Sequence, residues 1–135
     1  MPRILVVDDD DPIRESIRLA LELTGIDVVM ADSGERAQDA CATTTFDGAI
    51  VDLLMPGMSG LETIRALRAH APDLPVIVIS GSLMQGSGAT DMLRNAMMLP
   101  RIAALPKPFK LSELMTIARA HFSLPSRVPA PKPAA

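Results

Sequence analysis

The chain alternates between short unbroken apolar runs and longer stretches in which apolar residues recur every three or four positions. Four of the runs, residues 4–7, 28–31, 49–51 and 76–79, are rich in β-branched residues. None shows the in-out alternation of a half-exposed strand, so each predicts a strand buried on both faces, as in a parallel sheet. A fifth run, 102–105, is weaker because Pro106 follows it. Helical spacing lies between the runs. Ile13, Ile17, Ala20, Leu21 and Thr24 make one stripe, stopped by Gly25, and Asp11 before Pro12 reads as its N-cap with proline at the first helical position. Ala37, Ala40, Cys41 and Thr44 make a second, with Asp32 or Ser33 as cap. Leu61, Ile64 and Leu67 make a third, ended before Pro72. Met92, Leu93, Ala96 and Met97 make a fourth, and Leu111, Leu114, Met115, Ala118 and Phe122 a fifth.

Five β-α units in succession imply an α/β fold: a parallel sheet with right-handed crossovers and helices on both faces. In such open sheets the site lies beyond the carboxyl ends of the strands, where the strand order reverses. Residues 81–90 are rich in glycine and serine and read as a flexible loop before the fourth helix. After Phe122 the pattern fails, and the four prolines within 123–135 suggest a Pro/Ala-rich disordered tail or linker stub behind a domain spanning 1–122. A length of 135 residues suits one such domain.

Composition narrows the function classes. The formal charge is −3, with no long basic run, which argues against direct nucleic-acid binding or a membrane surface. Aromatics amount to 2%, too few for stacking on bases or sugars. The single cysteine, Cys41, excludes an internal disulfide, sits on an apolar stripe and reads as inert core. The segment after Met1-Pro2-Arg3 lacks the long apolar stretch of a secretory signal, so a cytoplasmic protein is expected. His70 and His121 fall near helix C-termini, where positive charge is favoured, and have no partner at metal-ligand spacing.

The chemistry collects at the strand ends. The first run ends in Asp8-Asp9-Asp10-Asp11, the third in Asp52 and the fourth in Ser80, while Lys107 follows the fifth; all lie on one edge of the predicted sheet. Converging carboxylates repel unless protonated or neutralised, and a hard divalent cation neutralises them. Asp8, Asp9 and Asp52 suit magnesium, which takes one or two carboxylates and keeps water and phosphate oxygens as its other ligands. Asp52 could then act as nucleophile towards a phosphoryl group. Lys107 would neutralise a phosphoryl oxygen and Ser80 would hydrogen-bond another. Asp11 reads as a cap rather than a ligand.

These residues resemble the receiver domains of two-component response regulators, the chemotaxis-Y-like superfamily. Ile4-Leu5-Val6-Val7-Asp8-Asp9 resembles the acidic pair, and Val51-Asp52-Leu53-Leu54-Met55-Pro56-Gly57-Met58-Ser59-Gly60-Leu61-Glu62 the phosphoacceptor segment. Val76-Ile77-Val78-Ile79-Ser80 resembles the hydroxyl strand, and Leu105-Pro106-Lys107-Pro108-Phe109 the lysine-proline loop. The resemblance covers about residues 3–122 and implies a doubly wound (βα)5 flavodoxin-like fold with strand order 2-1-3-4-5. It also implies phosphorylation of Asp52 by a histidine kinase or a histidine phosphotransfer protein. Asp8, Asp9, Asp52 and the backbone carbonyl of Leu54 would hold magnesium, with manganese as the alternative, and the Lys107–Pro108 peptide would be cis.

The match departs from the family pattern in two places. Ala104 stands where the family usually carries a tyrosine or phenylalanine that changes rotamer on activation, and the stretch from Ser80 to Lys107 is longer than usual. The signal is therefore expected to leave through an order–disorder change in residues 81–90. Two other readings compete. Asp8-x-Asp10 after a strand resembles the nucleophile motif of haloacid-dehalogenase-type phosphatases, although the chain continues Asp11-Pro12 where glycine and threonine or valine are usual. A non-phosphorylated interaction domain is the other, but the acceptor set is complete. The expectation is a stand-alone signalling module rather than an enzyme, acting through contact with an unidentified downstream protein.

Overall fold

Each of the five apolar runs forms a strand, and a helix follows each one. The computed structural model describes residues 2–81 and 87–124, with backbone alone at 87–90. The order is β1 (Arg3–Val7), α1 (Asp11–Leu23), β2 (Asp27–Ala31), α2 (Gly34–Thr43), β3 (Gly48–Asp52), α3 (Gly60–His70), β4 (Val76–Ser80), α4 (Ser87–Met97), β5 (Ile102–Pro106) and α5 (Leu111–His121). All pairings are parallel and the sheet order is β2-β1-β3-β4-β5. This is the doubly wound flavodoxin-like arrangement that the resemblance implies.

Strand periodicity sorts the core into two layers. Leu5, Val7, Ala49, Val51, Val76 and Val78 face the side covered by α2, α3 and α4. Ile4, Val6, Ile50, Ile77, Ile79 and Leu105 face the side covered by α1 and α5. The central strands β3 and β4 are buried along their whole length, which is why their sequences carry no polar alternation. Ala104 pairs with Val78 and packs into the first layer.

Helix ends follow local chemistry. Ser33, rather than Asp32, caps α2 by accepting from the Arg36 amide at 3.1 Å. Beyond α1, Gly25 adopts φ +82° and the amide of Ile26 reaches back to the Leu21 carbonyl, so the helix stops where glycine allows a left-handed residue. The fourth helix differs from expectation. It begins at Ser87, so the latter part of the segment read as a loop is helical. Residues 82–86 and 125–135, holding the rest of that loop and most of the expected tail, lie outside the described residues.

Cys41 is 8% exposed, and its Sγ lies 3.8 Å from the Leu67 carbonyl oxygen, where α2 meets α3. Burial pushes its thiol above the ordinary range. The native protein should react with a thiol reagent no faster than it opens, while the denatured chain reacts at once. Rapid reaction of the native form would show that the α2–α3 contact is open in solution.

Candidate functional site

The strand order reverses between β1 and β3, and both neighbouring strands end there in a carboxylate. Asp8 follows Val7 directly and is fully buried; Asp52 is the last residue of β3 and is 4% exposed. One carboxylate oxygen from each of Asp8, Asp9 and Asp52 can be chosen so that all lie within 4.8 Å of one another, with Asp9 on the solvent side. Lys107, in the loop after β5, crosses towards them. Its Nζ stands 3.4 Å from Asp52 Oδ2 and 3.9 Å from Asp8 Oδ2. Ser80 ends β4 beside it and is buried, and the Lys107 amide donates to the Ser80 carbonyl at 2.7 Å. The Lys107–Pro108 peptide is cis. The Leu54 amide donates to Asp52 Oδ1 at 3.2 Å, fixing that carboxylate from the loop after β3.

The acidic loop departs from expectation at its cap. Asp10, not Asp11, precedes the helix with extended backbone, and its carboxylate accepts from the Ile13 amide at 3.1 Å. Asp11 and Pro12 are therefore the first two helical residues. A run of four aspartates offers several equivalent caps, and proline is accommodated anywhere in a first turn, where no intrahelical donor is missed. The second acid of Asp8-x-Asp10 is thus occupied as a helix cap and stands apart from the cluster of Asp8, Asp9 and Asp52.

Two residues in contact with this loop geometry were not anticipated. Arg14 turns back from the first turn of α1, and its Nη1 donates to the Asp8 carbonyl oxygen at 2.7 Å. Gly60 opens α3, and a Cβ there would overlap the Asp52 carbonyl oxygen and the Leu53 Cα. Only glycine lets the helix start so close beneath the end of β3. The nearby Ser59-x-x-Glu62 pattern was a readable signal for that start: Ser59 and Glu62 form a reciprocal capping box at 2.9 and 3.2 Å.

Burial dominates the electrostatics. It raises Asp8 to about 6, opposed by the Asp10 amide bond and by Lys107 and reinforced by the Asp52 charge. It also raises Asp52, against the pull of Lys107 and the Leu54 amide. Asp8 Oδ2 is buried, and no hydrogen-bond donor among the described residues reaches it. A buried anionic oxygen in this condition is costly, and the carboxylates of Asp8, Asp9 and Asp52, one oxygen from each, make a hard donor set that fits a small divalent cation.

Comparison with known proteins agrees with this geometry. The family model for the response regulator receiver domain matches residues 4–119. Response regulator MprA of Mycolicibacterium vanbaalenii is 38% identical over 125 residues, covering 87% of this chain and 49% of that protein. The chain therefore spans about half the length of the curated relatives it matches. Among solved structures, the receiver domain of Francisella response regulator 1452 is 27% identical with a TM-score of 0.76, covering 91% of this chain and 98% of that one. A response regulator receiver domain protein from Clostridium thermocellum is 26% identical with a TM-score of 0.78, covering 91% and 95%. The fold, the reversal of strand order over an acidic pocket and these matches agree: the chain belongs to the response regulator receiver domain family, the phosphorylation-dependent modules of two-component signalling.

Proposed function

We propose that Asp52 accepts a phosphoryl group from the phosphohistidine of a histidine kinase or a histidine phosphotransfer protein. The observation that carries this reading is the convergence of Asp8, Asp9 and the Lys107 ammonium on the Asp52 carboxylate. A carboxylate oxygen of Asp52 attacks phosphorus, a P–O bond forms, and the P–N bond breaks with its electron pair left on the departing imidazole. Asp8, Asp9, Asp52 and the Leu54 carbonyl would hold magnesium, or manganese in its place. Such a cation, when bound, offsets the charge gathered on the transferring oxygens. Lys107 neutralises a phosphoryl oxygen, and the Ser80 hydroxyl donates to another. The Leu54 amide keeps the Asp52 carboxylate oriented.

In this reading the domain comprises residues 1–122, with 123–135 as tail or linker, and it works as a cytoplasmic signalling module rather than as a turnover enzyme. No helix among the described residues is long and apolar enough to cross a membrane. The net charge of −3 favours output by protein contact over direct contact with nucleic acid. The test is incubation with a small-molecule phosphodonor, followed by borohydride trapping and peptide mapping. Label should appear on Asp52, require magnesium, and vanish in Asp52→Asn. Label persisting in that variant, or mapping elsewhere, would overturn the assignment.

A further inference from the structure

The acids at the end of β1 are held from behind by a residue outside the pocket. Asp8 is anchored at three points: its amide donates to Ala31 O at 3.2 Å, its Oδ1 accepts from the Asp10 amide at 2.9 Å, and its carbonyl accepts from Arg14 Nη1 at 2.7 Å. The same guanidinium sends Nη2 to Asp11 Oδ1 at 2.5 Å. Arg14 thus ties the end of β1 to the first turn of α1 across the Asp8–Asp9–Asp10 turn. Its side chain is 16% exposed, whereas that of Asp11 is 81% exposed. The bond to Asp8 O is accordingly the sheltered half of the fork, and the Asp11 pair is a screened surface contact.

We propose that Arg14 is a positioning residue for divalent-cation binding: by gripping the Asp8 carbonyl it holds the acidic turn in the shape that aims Asp8 and Asp9 at Asp52. This inference rests on the phosphoryl-transfer reading above. Arg14 makes its hydrogen bonds to Asp8 O and Asp11 Oδ1 and none to the reacting carboxylate, so it acts through the turn. Without the grip, the turn is freed to let the like-charged carboxylates move apart, and the cation must reorder it on binding. The loss therefore falls on cation affinity. Once the site is filled, the ordered turn is restored and the chemistry at Asp52 proceeds as before.

The test uses the whole chain with magnesium alone as probe. The sequence has no Trp or Tyr, so binding is read by calorimetry and by amide shifts after β1 and β3. Arg14→Ala should weaken magnesium binding about tenfold, the lower end of what loss of a supporting contact costs a metal site. Arg14→Lys, which keeps one cationic donor for the Asp8 carbonyl and loses the fork, should recover part of that loss. The rate of Asp52 labelling should fall in Arg14→Ala at limiting magnesium and return to the wild-type rate at saturating magnesium. Magnesium affinity within twofold of wild type would overturn the proposal, as would a labelling rate that stays low at saturation. Should Arg14→Ala fail to fold, Arg14→Gln carries the same measurements with a neutral single donor. If the wild type neither binds magnesium nor labels on Asp52, the functional reading itself falls. If it does both and the Arg14 variants match it, this inference alone falls.

Discussion

Asp8→Asn is expected to make the metal-free domain more stable at pH 7 while weakening magnesium binding by more than tenfold. The two effects share one cause. Burial raises Asp8 from 3.8 to about 6, so the folded protein prefers the protonated acid. The stability associated with that preference is present below about pH 4 and is lost as pH rises through 6. At neutral pH the ionised carboxylate therefore costs roughly 2–3 kcal/mol, taking 1.36 kcal/mol per pK unit. Asparagine keeps the acceptor for the Asp10 amide and removes the charge. In EDTA its melting midpoint should exceed that of wild type by several degrees above pH 6, and the difference should close towards pH 4. Added magnesium should stabilise the wild type by mass action and leave the variant nearly unmoved. A variant no more stable than wild type in EDTA at pH 7 would show that the Asp8 charge is already compensated without a cation.

Gly60→Ala is expected to destabilise the domain by about 2–4 kcal/mol, a large effect for one added methyl group. The added carbon would meet backbone of Asp52 and Leu53, which cannot rotate away as a side-chain tip can. Relief requires α3 to back off from the end of β3, and Asp52 moves with it. Gly25→Ala is the control. Gly25 has φ +82° with nothing among the described residues within 4 Å of an added Cβ, so only conformational strain applies, about 1 kcal/mol. Urea unfolding of the two variants separates steric crowding from strain. Equal losses would mean that the close approach of α3 to β3 relaxes freely.

β1, β3 and β4 were legible because burial on both faces removes polar alternation, and residues 76–79 show this most plainly; β2, although its run is just as apolar, is an edge strand that is only partly buried, with Met30 exposed. Asp8 and Asp52 were legible because each directly follows such a run, and Lys107 because it comes just after the weaker fifth one. The strand order was not written in the periodicity. It came from likeness to a family, since β-α repeats alone allow several orders. The cap at Asp10 was missed because neighbouring aspartates are chemically equivalent until the turn is built. The start of α4 was missed because glycine and serine between 81 and 90 suggest loop, while packing of Met92, Leu93 and Ala96 under the sheet outweighs a weak local propensity. Arg14 was invisible for a related reason: its partner is a backbone carbonyl, and sequence does not show which way a carbonyl points.

The strand order also has a kinetic consequence. Arg3 pairs with Asp27 and Val76 with Ile102, each across a single β-α crossover, whereas Ile4 pairs with Gly48 only after the chain has passed through β2 and two helices. That central pairing closes the longest loop in the sheet and carries the largest chain-entropy cost. It is the seam that joins one half of the sheet, β2 and β1, to the other, β3, β4 and β5. Asp8 and Asp52 sit at the end of this seam and repel as the seam closes. Divalent cations should therefore slow unfolding more than they speed refolding, because the complete cation site exists only after the halves have joined.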